Sequence, residues 1–195
     1  MRRFLTLLIG TLLALALTGA AQAAGGNYVF DGGTPREQAQ VRSALNASSF
    51  DWNLVPAQIT VHIGHGSDSE AAPGEIWLDA DLLDSGRFSW GVVQHEYAHE
   101  VDFLLLDDAK RAPLAAKLGG QAWWQPAGPE LRHGDLTSER FASTLAWAYW
   151  PSKQNSMMPK SKSDEAGAMA PAQFRAALAA ALGAPALATV ASHGR

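Results

Sequence analysis

The feature that most constrains the fold is segment 88–106, which predicts a helix with two different faces. At 100° per residue, the paired imidazoles of His95 and His99 lie about 40° apart, one turn from each other on the same side. The opposite side is an apolar stripe formed by Trp90, Val93, Tyr97, Val101 and Leu104. Because such a stripe must be buried, the segment predicts a helix packed on a core, with its polar members facing solvent or a cleft.

The polar face carries the pattern His-Glu-x-x-His at residues 95–99. Two neutral imidazoles one turn apart can hold one metal ion and leave room for a third ligand and a water molecule. Glu96 is one residue along and can reach that water as a general base. Since the chain has no Cys, a metal must be held by imidazoles and carboxylates. We therefore predict that His95 and His99 bind Zn²⁺.

The third ligand must come from elsewhere in the chain. The continuation His-x-x-Gly-x-x-His, which would supply another imidazole, is absent because Asp102 and Leu105 stand where it needs Gly and His. A carboxylate from a later helix is the other common solution, and Glu139 can supply one. On a helix over 137–149 it points away from the packing face of Phe141, Leu145 and Ala148. The alternative is that Glu139 is simply an acid favoured near a helix N-terminus by the helix dipole.

These two segments resemble the gluzincin metallopeptidases. His-Glu-Tyr-Ala-His-Glu-Val-Asp followed by Glu-Arg-Phe-Ala is similar to the signatures of the branch that contains the anthrax lethal factor catalytic domain and the Mlc titration factor peptidase. The likeness covers residues 74–150 at most. It implies a zincin-like α+β domain, mostly helical, with a small mixed sheet packed on the motif helix. It also implies that strand 75–79 is the edge strand that pairs with substrate backbone.

The resemblance also implies a role for each polar residue of the site. Its zinc ligands would be His95, His99 and Glu139, and Glu96 would be the general base. Asp102 would support the site from outside the ligand set, because a ligating imidazole usually donates its other N–H to a carboxylate or carbonyl. Direct ligation by Asp102 is the alternative, although a third ligand from the same helix is poorly placed to complete a tetrahedron.

Peptide hydrolysis further needs a hydrogen-bond donor for the oxyanion that develops during attack. His133 is the first candidate, because it stands close to where lethal-factor-like peptidases carry a Tyr for this task. Tyr149 is the second candidate, although its position favours packing at a helix end. Trp123 and Trp124 predict either one wall of a substrate pocket or ordinary apolar packing.

The remainder of the chain predicts one exported domain. Residues 1–23 contain two Arg, an apolar run and Ala-Gln-Ala, which is the pattern of a cleaved signal peptide, with an uncleaved N-terminal anchor as the alternative. Residues 24–195 then form a single domain that is secreted or periplasmic, without stable membrane insertion. Within it, 151–170 is polar and predicts a mobile loop, and 186–195 predicts a frayed tail.

Local patterns predict the other elements. Thr-Pro-Arg-Glu begins a helix over 34–46 with an N-cap and a Pro at the first helical position. Alternating β-branched and apolar residues predict strands over 59–63 and 75–79. Helical spacing predicts a helix over 109–118 and an Ala-rich helix ending before Gly183.

Charge and composition restrict the partners. The chain has 15 basic and 19 acidic residues, and residues 1–23 hold two of the basic ones and no acid, so 13 against 19 remain and the rest carries −6. No broad basic surface is available for nucleic acid, and the predicted partner is a peptide or protein substrate. The sequence thus predicts an exported zinc metallopeptidase. The alternatives are a non-catalytic exported zinc-binding or partner-binding module, and an amidase acting on cell-wall peptides.

Overall fold

The computed structural model describes residues 25–66 and 68–183, so the predicted signal peptide and frayed tail lie outside the described residues. The strands are β1 (Tyr28–Gly32), β2 (Ile59–Gly64), β3 (Glu70–Ala72) and β4 (Glu75–Asp79). The α-helices are α1 (Pro35–Ala47), α2 (Ala80–Leu83), α3 (Trp90–Leu105), α4 (Asp108–Leu118), α5 (Thr137–Tyr149) and α6 (Pro171–Leu182). The described part is therefore a mixed α/β structure in which helices predominate, as the sequence predicts.

The sheet is small and mixed, with strand order β1-β2-β4-β3. Strands β1, β2 and β4 run parallel, and β3 is antiparallel to β4. The prediction that strand 75–79 lies at the edge is wrong, because β4 pairs on both sides and β3 is the outer strand. The reason is the tight turn at Pro73 and Gly74, which folds β3 back so that Ala72 pairs with Glu75.

Helix α3 is the centre of the packing. Its predicted apolar stripe contacts the core through Val93, Tyr97 and Val101, each at most 2% exposed, while Trp90 and Leu104 are partly buried. The polar side is buried as well, because α5, α1, the β3–β4 turn and α4 all pack against α3. Gln94, Glu100 and Asp102 are fully inaccessible rather than turned to solvent or a cleft. A polar helix face covered in this way must satisfy its groups within the protein.

Segment 151–170 follows α5 as a series of turns with a short 3₁₀-helix at Glu165–Gly167. Asn155 ties it to α5, since its amide nitrogen donates to the backbone oxygens of Ala146 at 3.0 Å and Trp150 at 2.8 Å. Ala166 is buried in the same segment. These contacts define where the segment packs, and its mobility stays a prediction. Among the described helices, none is long and apolar enough to cross a membrane.

Candidate metal centre

Two crossing helices build the site. Helix α3 carries His95 and His99 one turn apart, and α5 carries Glu139 in its first turn. The start of α5 is fixed by the preceding loop, because the Thr137 hydroxyl donates to the Gly119 carbonyl oxygen at 2.8 Å. The guanidinium of Arg140 donates to the carbonyl oxygens of Gly134 and Leu118, each at 2.9 Å. These bonds set where the Glu139 side chain meets α3.

The predicted ligand atoms form a nearly equilateral triangle. The Nε2 atoms of His95 and His99 are 3.2 Å apart, and Glu139 Oε2 lies 3.1 Å from the first and 3.2 Å from the second. A tetrahedral zinc with bonds of about 2.0–2.1 Å has neighbouring ligands about 3.3 Å apart. The three atoms therefore match three corners of such a tetrahedron. The structure brings the three predicted ligand atoms together, and two overlapping groups there, His95 with Glu96 and His99 and His95 with His133 and Glu139, could hold a metal ion.

The charge of Glu139 suits this arrangement. Burial acts to raise the pKa of its carboxyl, but hydrogen bonds with His133, His95 and His99 hold that pKa well below its usual range. Glu139 is thus an ionised oxygen donor beside two imidazoles, which is a ligand combination that zinc accepts. Binding would also require the imidazole Nε2 atoms to be free of protons, so metal binding would release protons.

Glu96 lies beside the triangle of ligand atoms and is not one of its corners. One of its carboxylate oxygens is within 4.8 Å of ring nitrogens of both His95 and His99, and the residue is only 6% exposed. Burial raises the pKa of Glu96, which strengthens it as a base. The structure therefore places a buried carboxylate where it can exchange a proton with a molecule bound next to the imidazoles.

His133 joins the site from the 3₁₀-helix His133–Asp135. Its Nε2 lies 2.9 Å from Glu139 Oε2, and its Nδ1 lies 2.8 Å from Glu165 Oε1. Hydrogen bonds to these two carboxylates raise the pKa of His133 to about 10. It also forms a possible metal-binding group with His95 and Glu139. The structure brings His133 to the ligands as an exposed donor, while its role toward an oxyanion stays a prediction.

Asp102 does not make the contact expected of it. Its Oδ1 accepts from Arg111 Nε and its Oδ2 from Trp123 Nε1, both at 2.8 Å. His99 Nδ1 is buried and, among the described residues, has no hydrogen-bond partner. The reason is the position of α4, which begins directly after α3 and lays Arg111 against the Asp102 carboxylate. Asp102 supports the loop around Trp123 instead of a ligand imidazole.

A cleft of about 270 Å³ opens onto the site. Residues 68–71, which include the first two residues of β3, form one wall. The other wall is Phe103 and Trp124, whose rings stack with centroids 5.3 Å apart. Of the two alternatives, Trp124 follows the first and lines the cleft, whereas Trp123 follows the second and packs inward near Phe141. A larger groove between α4 and α6 offers one carboxylate and no imidazole.

Two residues of the site were not predicted. Glu165 bonds His133 and also accepts from the Ser143 hydroxyl at 2.8 Å, and Ser143 Oγ lies 3.0 Å from His95 Nδ1. Ser143 could have been found, because it is four residues after Glu139 and hence on the same helix face. Glu165 has no such signal, since it lies in a polar stretch without periodicity.

Comparisons of the chain with known protein families, with curated proteins and with solved structures found no match. The residues of the site and their arrangement are therefore what indicates a function.

Proposed function

We propose that the protein is an exported zinc-dependent metallopeptidase with a zincin-like fold. One observation carries the proposal, namely the triangle of His95 Nε2, His99 Nε2 and Glu139 Oε2 with edges of 3.1–3.2 Å. The buried carboxylate of Glu96 lies beside it. Three protein ligands are typical of catalytic zinc, which keeps one position open, whereas structural zinc normally has four. Export is proposed from the signal-like pattern of residues 1–23.

The residues around the triangle divide the work of hydrolysis. When bound, zinc supplies Lewis acidity that polarises a carbonyl group and acidifies a water molecule. Glu96 takes a proton from the attacking water and returns it to the leaving nitrogen, and burial raises its pKa in favour of this exchange. His133 shifts its Nε2–H bond from Glu139 to the carbonyl oxygen as negative charge develops there, while its Nδ1–H stays on Glu165.

The walls of the cleft favour a peptide as the substrate. Strand β3 is one of the two outer strands of the sheet, so it can pair with the backbone of an extended peptide. Phe103 and Trp124 on the opposite wall offer aromatic surface to a substrate side chain. A peptide lying between these walls passes over the ligand triangle. An amidase acting on cell-wall peptides would use the same residues and differ only in its substrate.

The second candidate is a non-catalytic zinc-binding module. It is favoured by the group that His133 forms with His95 and Glu139, because a fourth protein ligand would close the metal site. The presence of Glu96 favours catalysis over this candidate, since structural zinc needs no base.

The test combines metal analysis with one substitution. The protein purified without chelator is expected to contain one zinc per chain and to cleave members of a broad peptide library. Glu96→Gln is expected to keep the zinc while turnover falls at least about 10²–10⁴-fold, the range of general base catalysis. Glu130→Gln, at an exposed loop carboxylate, is the matched control and should behave as the wild type.

Each outcome separates the candidates. A chain that neither contains nor takes up zinc would refute both the peptidase and the zinc-binding module. Stoichiometric zinc without cleavage of any peptide would favour the non-catalytic module. Equal turnover in Glu96→Gln and wild type would remove Glu96 from the mechanism.

A further inference from the structure

The carboxylate of Glu165 lies between two imidazoles of the site. One of its oxygens is 2.8 Å from His133 Nδ1, and the other accepts from the Ser143 hydroxyl at 2.8 Å. Ser143 Oγ in turn lies 3.0 Å from His95 Nδ1 in the protein interior. Met157 Sδ is also within 3.5 Å of that hydroxyl, but a thioether is a much weaker acceptor than a carboxylate. Glu165 is thus linked directly to His133 and through one hydroxyl to His95.

This chain of hydrogen bonds has only one consistent direction when Glu165 is ionised. A carboxylate only accepts, so Ser143 donates its proton to Glu165 and turns a lone pair toward His95 Nδ1. His95 Nδ1 must then carry the proton. Consequently the lone pair of a neutral His95 is on Nε2, which is the atom of the ligand triangle. A fixed tautomer of this kind is what a ligating imidazole requires.

The same carboxylate orients His133. Its Oε1 accepts the Nδ1 proton of His133, and this bond holds the other ring nitrogen toward Glu139. Hydrogen bonds from His133 and Ser143 outweigh burial and keep the pKa of Glu165 below its usual range. The carboxylate therefore stays an acceptor for both groups.

We propose that Glu165 is a positioning residue of the metal centre, which fixes His95 through Ser143 and fixes His133 directly. The inference rests on the proposed function, because it takes His95 as a zinc ligand. It gives segment 151–170 a task that its sequence does not reveal. Glu165 acts through other side chains, so it affects metal affinity and the orientation of His133 without touching the ion.

The experiment compares three single variants of the full chain and the double variant Glu165→Gln/Ser143→Ala. Glu165→Gln presents an amide NH₂ group to Ser143, which frees the Ser143 hydroxyl to donate to His95 Nδ1 and favours the wrong tautomer. Ser143→Ala breaks only the link to His95. Asp164→Asn is the matched control, because Asp164 is the neighbouring carboxylate, yet its bonds are to Lys160 and Ser161 and not to the site.

Zinc affinity is measured by competition with a calibrated zinc indicator, and the melting temperature of the metal-free protein is measured in EDTA. Glu165→Gln is expected to weaken zinc binding 10–100-fold, which is typical for the loss of a group that orients a ligand. Ser143→Ala should also weaken zinc binding. If both residues act on His95, the affinity loss of the double variant should be smaller than the product of the two single losses. Metal-free melting should stay close to wild type.

The peptidase assay at saturating zinc adds a second readout. Glu165→Gln is expected to have a lower kcat than Ser143→Ala, because only Glu165→Gln also weakens the bond that orients His133, whose acceptor changes from a carboxylate to a neutral amide oxygen. Wild-type zinc affinity in Glu165→Gln would overturn the inference while leaving the proposed function intact. Equal losses of affinity in Glu165→Gln and Asp164→Asn, together with lower metal-free melting temperatures, would overturn it by showing a merely structural effect. Failure of the wild type to bind zinc would overturn the proposed function and this inference together.

Discussion

Glu100 provides the sharpest test of the electrostatics around the site. It is fully buried on α3, and its Oε2 accepts from the backbone N–H of Gly74 at 2.9 Å, in the turn between β3 and β4. Among the described residues, its Oε1 has no hydrogen-bond partner. Burial raises the pKa of Glu100 to about 7 from a usual value of 4.5. The folded protein therefore prefers this carboxyl protonated, whereas the unfolded chain ionises it readily.

The sign and size of the effect follow from that difference. Because the folded pKa is raised, the contribution of Glu100 to stability is fully present below pH 4.5 and is lost as the pH rises to about 7. A difference of about 2.5 pKa units corresponds to roughly 3 kcal/mol of unfolding free energy. Glu100→Gln keeps the shape and the bond to Gly74 but cannot ionise. Relative to wild type, it should gain about 3 kcal/mol between pH 4.5 and pH 8.

The assay is thermal and urea unfolding of wild type and Glu100→Gln at pH 4.5 and pH 8, with EDTA present to exclude metal linkage. For a domain of this size, roughly 3 kcal/mol corresponds to about 6–12 °C in Tm. Glu130→Gln at the exposed loop carboxylate should show no such change. The pH dependence of the site imidazoles is common to all three proteins and cancels in the comparison. A difference between Glu100→Gln and wild type that is independent of pH would refute the reasoning.

Two further predictions follow from contacts in the structure. Glu139→Ala should nearly abolish zinc retention against a weak chelator. Asp102→Asn should change zinc affinity only a few-fold, because both Asp102 oxygens are bonded away from the ligands. Competition with a zinc indicator ranks the two variants, and a larger loss for Asp102→Asn would contradict the ligand set. Gly91→Ala should lower the unfolding free energy by about 1–3 kcal/mol, because the added Cβ would collide with Asn155 and Ser156. Urea unfolding checks this, and an unchanged midpoint would mean that segment 151–170 does not pack on α3.

The parts of the site that the sequence predicted are those encoded by local spacing. His95 and His99 are one helical turn apart, so the helix alone brings their Nε2 atoms to 3.2 Å. The helix that carries Glu139 was also predictable from its packing face. Where this helix crosses α3 sets the distances from Glu139 to the two imidazoles. The start of α1 was equally local, because Thr34 is the N-cap and Pro35 the first helical residue, as predicted, and Glu37 completes a capping box with Thr34.

The errors concern contacts between different elements of the fold. Strand β3 has only three residues and no alternation of apolar and polar side chains, and it exists because the turn at Gly74 returns it to β4. The partner of Asp102 depends on where α4 places Arg111. Neither position can be obtained from the spacing within one element, so the edge strand and the Asp102 contact were predicted wrongly.

Glu165 shows why a polar segment can be essential to a site and yet have no recognisable pattern. A periodic pattern arises when a face of a helix or strand must be buried, but segment 151–170 is held mainly by polar bonds, such as those from Asn155 to α5. Bonds of this kind need one residue at one place, so they leave no repeat in the sequence. The carboxylate of Glu165 likewise acts through two single contacts, to His133 and Ser143. Residues of irregular segments that orient ligands are therefore found by tracing hydrogen bonds in the structure, starting from the ligand side chains.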